Sequence, residues 1–417
     1  MVNRILAPEL NQIDSISFVA PEIRTEFAIP LFVMRQVPNA TSRIELYFNA
    51  GSINGKTGLA SLVSGLLLSG TDKMNSTEIH TELDNLGGFH DISLGHESVV
   101  ISLYGLNDKL PEILSLFCQS LCAVNFSDSE IQELKEDRKQ KLRINLQKVS
   151  FLAQRSFSQN LFANSDYGRV INEENYDSIT RQEIIEFHKA FYLSGLFKAV
   201  IIGDFQEETI VSIEDLLAPF VNNLPLEYST SLQNTPGLFH TEKEGALQTA
   251  IRVGRILFNR KSDDFVDVTI LNTILGDYFG SRLMSNLRED KGFTYGVGSM
   301  LSEFHETGYF LIATEVGKEH KDAAIQEIKN EIERLHRDLI AEEELELVRN
   351  YLLGQLLKSA DGPYAMTDLY VGVQAFGLDI SFYDRYIKKI HEITPERLQL
   401  LAKTYLDWNQ MTIVSAG

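Results

Sequence analysis

The chain has 417 residues, of which 44% are hydrophobic and 23% are charged, and its formal net charge at pH 7 is −20. This composition excludes a disordered or fibrous chain, and the length predicts two or more domains that each bury a core. A surface this acidic, with no local basic cluster in the sequence, argues against binding to nucleic acid or to a membrane surface. The first residues, MVNRILAPELNQ, lack the apolar core of a signal peptide, and no apolar run is long enough to span a bilayer. We therefore expect a cytoplasmic protein.

The first half of the chain predicts strands and helices separated by turn residues. ATSRIELYFNAG (40–51) alternates like a half-buried strand, and GLASLVSGLLLSGT (58–71) is an apolar segment of helical length. Residues 83–117 predict a helix end, a glycine turn, two strands and a helix. Residues 176–205 close this half with a helix that Thr180 caps, followed by a strand.

The second half repeats this order of elements. QTAIRVG (248–254) predicts a strand, and residues 287–328 again predict a helix end, a glycine turn, two strands and a helix. Residues 393–417 close the half with a helix capped by Thr394, followed by a strand. The repetition indicates a duplicated chain.

The connection at 217–245 is rich in Pro, Asn, Ser, Thr and Gly, and it places a domain boundary near residue 225. The predicted domains are 1–225 and 226–417. The predicted fold class is α+β, with two homologous domains that each contain a mainly antiparallel sheet packed with helices. One helix of the second domain is expected to carry a single apolar stripe made of Ile325, Ile328, Ile332, Leu335 and Leu339.

The apolar segment at 58–71 resembles the zinc helix of the M16 metallopeptidases, the family of pitrilysin, insulin-degrading enzyme and mitochondrial processing peptidase. The resemblance implies an M16 peptidase-like fold. Active members carry an HxxEH motif on this helix, in which two histidines bind zinc and the glutamate acts as general base. Here Ser61, Ser64 and Gly65 occupy the three positions. Because none of them can ligate zinc or take a proton near neutral pH, we expect this chain to bind no metal at this site.

The third zinc ligand of the family is a glutamate on a later helix. By register it falls on Gln132 or Glu133, and the sequence leaves the choice between them open.

A second signature of the family is present in GDYFGSRLMSNLREDKGFTYGVGS (276–299), which resembles the pattern SRLxxxLRExxGxxY. The resemblance implies that Arg288 and Tyr295 face a zinc site on another domain. There a guanidinium and a phenol would stabilise the negative charge of the tetrahedral intermediate. The alternative is structural, with Arg288 in a salt bridge at a helix end and Tyr295 in the core.

The resemblance implies a heterodimer in which a zinc-bearing homologue completes a peptidase that this chain cannot form alone. Extended or unfolded peptides are the implied substrates, bound as an added strand along GFHDISL (88–94), where Asp91 replaces a frequent asparagine. One alternative is a non-catalytic scaffold or peptide-binding subunit. Another is a homodimeric peptidase whose metal is held by His90, His96 and Glu97.

Overall fold

The computed structural model describes residue 13 and residues 15–35, 37–163, 165–221 and 232–417. The predicted boundary at residue 225 lies outside the described residues. Of the described strands, those before this point all belong to one sheet and those after it all belong to a second sheet.

The first half forms a six-stranded sheet in the order β1-β2-β6-β3-β5-β4. Its strands are β1 (Glu22–Arg24), β2 (Leu31–Met34), β3 (Thr41–Phe48), β4 (Phe89–Leu94), β5 (Val99–Leu106) and β6 (Leu196–Ile202). Its helices are α1 (Leu59–Leu66), α2 (Ser76–Asn85), α3 (Leu110–Ala123), α4 (Asp128–Asn145), α5 (Val149–Leu161), α6 (Glu173–Ser178), α7 (Arg181–Phe191) and α8 (Glu207–Leu217).

The second half forms a five-stranded sheet in the order β7-β11-β8-β10-β9. Its strands are β7 (Gly237–Thr241), β8 (Gln248–Leu257), β9 (Val297–Glu303), β10 (Gly308–Gly317) and β11 (Thr412–Ala416). Its helices are α9 (Phe265–Leu275), α10 (Lys321–Arg337), α11 (Glu342–Ser359), α12 (Gly362–Gln374), α13 (Ser381–Glu392) and α14 (Pro395–Tyr405), with a π-helical segment at Met284–Asp290.

The predicted duplication is visible in the strand order. Strands β2, β6, β3, β5 and β4 of the first sheet have the same order and directions as β7, β11, β8, β10 and β9 of the second. Each sheet has one parallel pair, β2 with β6 and β7 with β11, and its other pairs are antiparallel. The predicted α+β fold with two homologous, mainly antiparallel sheets is therefore confirmed.

The local signals at the ends of the two halves are also confirmed. The side chain of Thr180 accepts a hydrogen bond from the backbone N–H of Glu183, and the Glu183 carboxylate accepts one from the Thr180 N–H, which is a capping box at the start of α7. Thr394 caps α14 with Pro395 in the first turn. The predicted strands that follow these helices are β6 and β11.

One prediction about the apolar stripe of α10 is wrong. Ile328, Ile332 and Leu335 are buried as expected, but Leu339 lies beyond the helix and is 51% exposed. The backbone becomes extended at Asp338, so the helical period no longer carries the next apolar residue to the core face.

One helix of each half packs on the sheet of the other half. Helix α5 of the first half packs on β8 and β11, where Phe157 is buried against Leu311 and Val414. Helix α12 of the second half packs on β2 and β6, where Val371 lies against Phe32. The exchange gives the two halves shared apolar clusters, so they are held together by buried surface.

Candidate functional site

Helix α1 presents the three positions of the degenerate zinc motif. Its first residue follows Gly58, which adopts the left-handed conformation with φ 89°. Leu62, Val63 and Leu66 are buried in the core of the first half. This packing leaves Ser61 half-buried and Gly65 exposed on the face toward α4, whereas Ser64 is buried.

These positions do not fit a zinc ion. The Ser64 hydroxyl donates to the Ser61 carbonyl at 3.2 Å, so it is engaged with the backbone of its own helix. A side chain added at Gly65 would start 2.9 Å from Leu134 Cδ2 and 3.1 Å from Arg138 Nη2. The charged group of α4 nearest to Gly65 is therefore the Arg138 guanidinium, whose positive charge opposes the binding of a cation, although Glu130, Glu133 and Asp137 of the same helix also line the adjoining cavity.

A cavity of about 540 Å³ lies between α1, α4 and β4. Of the two candidates for the third family ligand, both are exposed, and only Glu133 lines this cavity together with Ser64 and Gly65. The lining residues are Ser64, Gly65, Leu66, Leu68, Ser69, Ser76, His80, His90, Asp91, Ile92, Glu130, Glu133, Leu134, Asp137 and Arg138.

The histidines of this region do not converge with Glu97 on one point. His80 and His90 stack with their ring centroids 5.4 Å apart, and the pKa of His90 is lowered by burial and by the neighbouring His80. His96 lies instead against Tyr167 and Phe304. Across the described part of the chain, no group of three or more His, Cys, Asp and Glu side chains is arranged to hold a metal ion. The alternative of a homodimeric peptidase with ligands His90, His96 and Glu97 therefore has no geometric support.

Arg288 lies in the π-helical segment, a wide helical turn that is frequent at functional sites. Its guanidinium carbon lies 4.5 Å from the ring centroid of Phe279, a side chain that is 65% exposed. Among the described residues no carboxylate pairs with Arg288, so the structural alternative of a salt bridge at a helix end does not describe it. The guanidinium remains available for a ligand, held by a cation–π contact.

Tyr295 lies in the loop before β9 and is 94% exposed, so it does not fill the core. The Thr294 hydroxyl lies 2.7 Å from the Glu315 carbonyl, and the Thr314 hydroxyl donates to the Gly296 carbonyl at 2.9 Å. These bonds fix the loop on β10, while the Tyr295 side chain remains exposed to solvent. Tyr295 lines a cavity of about 340 Å³ whose wall includes Arg252 but not Arg288.

Strand β4, the predicted site of peptide addition, lies at the edge of the first sheet next to β5. Its residues alternate between exposed and half-buried, and Asp91 is exposed and lines the cavity of about 540 Å³. A strand in this position offers backbone N–H and C=O groups to an added chain.

Comparison with known proteins places this fold in one family. Residues 31–172 match the family model described as insulinase (peptidase family M16), and residues 178–352 match the model described as peptidase M16 inactive domain. The chain belongs to the M16 peptidase family.

Relatives with similar sequences include both zinc-protease-like and inactive proteins. An uncharacterized zinc protease of Rickettsia bellii is 22% identical over 72% of this chain and 74% of its own length. A non-peptidase homologue of Helicobacter pylori is 22% identical over 88% of this chain and 87% of its own length. A probable inactive metalloprotease of Bacillus subtilis is 18% identical over 79% of each chain.

Solved structures show the same fold. A peptidase M16 inactive domain from Pseudomonas fluorescens superposes with a TM-score of 0.85 at 21% identity, covering 96% of this chain and 98% of that one. A protease from Helicobacter pylori superposes with a TM-score of 0.84 at 16% identity, covering 95% of this chain and all of that one.

Within the described residues, none of the helices combines the length and apolar character needed to cross a membrane.

Sequence reasoning missed Arg138 as part of the site. Helix α4 is rich in charged residues, and its sequence does not tell which of them turns toward α1. The position of Arg138 one turn after Leu134 places both residues against Gly65. That neighbour could have been found only by knowing how α1 and α4 pack.

Proposed function

We propose that this chain is the zinc-free subunit of a two-chain M16 metalloendopeptidase. In this proposal Arg288 and Tyr295 bind the peptide and stabilise the oxyanion of the tetrahedral intermediate. A partner chain with an intact HxxEH motif supplies the zinc, the bound water and the general base. Alone, the chain has no peptidase activity.

The observation that carries the proposal is the availability of these two side chains. A tyrosine that is 94% exposed contributes little burial to stability, and a guanidinium without a carboxylate partner leaves its hydrogen-bond donors to water. Neither side chain therefore contributes much to the stability of the fold. Their hydrogen-bond donors are suited to stabilising a negative charge that develops in a transition state. Their spacing within residues 276–299 resembles the M16 pattern SRLxxxLRExxGxxY.

The proposed substrate is an extended peptide that adds to the edge strand β4. Backbone hydrogen bonds along such an edge give affinity with little demand on sequence, which suits unfolded segments. Asp91 is exposed on this strand and would favour peptides with a basic residue opposite it.

The alternative function is a scaffold or peptide-binding subunit without any role in chemistry. The inactive and non-peptidase names of two relatives favour this alternative for those proteins. The two functions differ in what Arg288 and Tyr295 do, because a scaffold is indifferent to their loss.

The test is reconstitution with the homologous HxxEH chain of the same genome, using a quenched fluorescent peptide as substrate. We expect cleavage only when both chains are present. Arg288→Ala and Tyr295→Phe should each lower kcat by about a hundredfold or more, since one oxyanion donor is typically worth that much. Arg385→Ala and Tyr370→Phe are matched controls outside the site and should leave kcat unchanged.

Gel filtration of each mixture separates catalysis from assembly. Loss of turnover with an intact complex supports the proposal. Full turnover in both site variants assigns the chain to the scaffold class, and peptidase activity of the pure chain refutes the two-chain model.

A further inference from the structure

A second cavity, of about 400 Å³, adjoins the degenerate zinc motif on the other side of Arg138. It lies between α1, α4, α5 and the segment that leads into α6. Its lining residues are Ser61, His96, Arg138, Lys141, Leu142, Asn145, Phe151, Gln154, Arg155, Ser158, Tyr167, Arg169, Val170, Ile171 and Tyr176. The volume is within the range of about 300–1,000 Å³ that is typical of small-molecule sites.

The charge of this wall is opposite to that of the protein. Four cationic side chains line the cavity and no aspartate or glutamate does so, whereas the whole chain carries 58 acidic against 38 basic residues. Two of the four cations are paired outside the wall, Lys141 with Asp137 and Arg169 with Asp166. The other two require a separate explanation.

Arg138 and Arg155 have no carboxylate partner among the described residues. The Nε atom of Arg138 is buried and makes no hydrogen bond within the described structure. Arg155 donates only to neutral acceptors, the Ile171 carbonyl and the Asn172 side chain, and burial lowers the pKa of its guanidinium. Removing charged donors from water without an anionic partner is unfavourable, and a bound anion would reverse that cost.

The rest of the wall is suited to an apolar group. Leu142, Phe151, Val170 and Ile171 contribute apolar surface, and the buried rings of Tyr167 and Tyr176 form part of the floor. A guanidinium pair beside aromatic and aliphatic surface matches a ligand with one charged end and one apolar end.

We propose that this cavity binds an oxyanion, a carboxylate or a phosphate monoester, carried on an aromatic or aliphatic group. Arg138 and Arg155 bind the oxyanion, and the apolar wall receives the attached group. The site belongs to this chain alone and involves neither Arg288 nor Tyr295. Its existence is therefore independent of the two-chain peptidase proposed above, and a failure of one leaves the other standing.

The test is isothermal titration of the full chain with three probes. N-acetyl-L-phenylalanine carries a carboxylate, N-acetyl-L-phenylalaninamide has nearly the same shape without the charge, and phenyl phosphate carries a phosphate monoester. We expect at least one of the two anions to bind at least about tenfold more tightly than the amide, because charge-assisted hydrogen bonds are the stronger kind. The preferred anion then identifies the source of the oxyanion.

Arg138→Gln is the cleaner variant, because Arg138 has no ion pair or hydrogen bond with a described residue and its loss should not disturb folding. It should weaken anion binding by about tenfold or more and leave the weak binding of the amide unchanged. Arg155→Lys keeps the charge but loses the planar fork, so it should give a smaller loss. Arg385→Gln, on the exposed face of α13, is the control and should have no effect.

Two results would overturn the proposal. One is equal affinity for the amide and for both anions, or no binding of any probe at millimolar concentration. The other is anion binding that Arg138→Gln leaves unchanged while a thermal melt shows the variant to be folded.

Discussion

The carboxylate of Glu97 accepts the backbone N–H of His305 at 3.0 and 3.1 Å, across 208 residues of sequence. Glu97 lies in the turn between β4 and β5, and His305 lies in the turn between β9 and β10. Because β4 and β5 correspond to β9 and β10 in the duplicated strand order, the two halves meet through equivalent turns. The Tyr167 hydroxyl donates to the same carboxylate at 2.7 Å. This bond connects the turn at Asp166–Gly168, which precedes α6, to the contact between the halves.

Glu97→Ala is therefore expected to destabilise the contact between the halves. The loss should be about 1–3 kcal/mol, since a charged acceptor is removed from two partly buried donors. Urea unfolding followed by circular dichroism measures it. Glu97→Gln keeps one oxygen acceptor and should lose less, and equal stability of all three proteins would show that the contact contributes nothing.

Phe157 tests the helix exchange between the halves. It lies on α5 of the first half, is fully buried, and packs in the second sheet so closely that its Cζ would lie 2.8 Å from a Cβ added at Gly254. Phe157→Ala should cost about 3–5 kcal/mol, the usual cost of emptying a buried phenylalanine site. Phe89→Ala, at a position that is 64% exposed and opposite Tyr104 on the next strand, is the control and should change stability by no more than about 1 kcal/mol. A small effect at Phe157 would mean that the exchanged helix does not hold the halves together.

The features that could be predicted from the sequence are those determined by residues close to one another in the chain. Thr180 and Thr394 mark helix starts through their own side chains, and the repeated order of elements reveals the duplication without any knowledge of packing. The end of α10 before Leu339 escaped prediction because the apolar period continues past the point where the backbone becomes extended.

The features that could not be predicted depend on contacts between distant segments. Nothing in the sequence of α5 indicates that it packs on the sheet of the other half. Similarly, the absence of histidines on α1 was readable, but the placement of Arg138 against Gly65 depends on the crossing of two helices. The exposure of Tyr295, and the lack of a carboxylate partner for Arg288 within the described residues, also depend on the tertiary structure.

Restoring the zinc motif alone should not restore zinc binding. The triple variant Ser61→His, Ser64→Glu and Gly65→His supplies two histidine ligands near Glu133, but the Arg138 guanidinium still lies against position 65 and repels a cation. We expect no stoichiometric zinc after dialysis, measured by atomic absorption. Adding Arg138→Glu to the triple variant replaces the repulsive charge by a further carboxylate and should yield about one zinc per chain.

Adding Arg138→Gln instead separates charge from ligation. It should give intermediate zinc content, because it removes the positive charge without supplying a ligand oxygen of comparable strength. Stoichiometric zinc in the triple variant with Arg138 intact would show that the guanidinium does not oppose metal binding.

His188 predicts a loss of stability on acidification. The side chain is 3% exposed between Phe126 and Tyr192, and burial lowers its pKa to about 4. The unfolded chain, with a pKa near 6.5, binds a proton that the folded chain does not, so stability falls as pH drops from 6.5 to 4. The contribution of this residue at pH 4 is on the order of 3 kcal/mol. His188→Phe should flatten this part of the stability curve relative to the wild type, and an unchanged slope would contradict the assignment.

Lys198 predicts the same direction of pH dependence in a higher range, a gain of stability as its charge is removed. The residue is 7% exposed, its amine lies 3.9 Å from the ring centroid of Tyr47, and burial lowers the pKa of that amine to about 8. Because the folded pKa is below the usual 10.5, the charged amine carries its full burial cost below pH 8 and loses that cost as pH rises toward 10.5. Lys198→Met should therefore stabilise the protein near pH 7 by about 1–3 kcal/mol, after allowance for the lost cation–π contact. Thermal or urea unfolding at several pH values measures the difference from wild type, which should shrink between pH 8 and 10.5. Lys388→Met, on an exposed helix face, is the control and should leave the stability at pH 7 nearly unchanged. If Lys198→Met is less stable than wild type at pH 7, then the contacts of the amine with the Tyr47 ring and with Glu45 outweigh its burial cost.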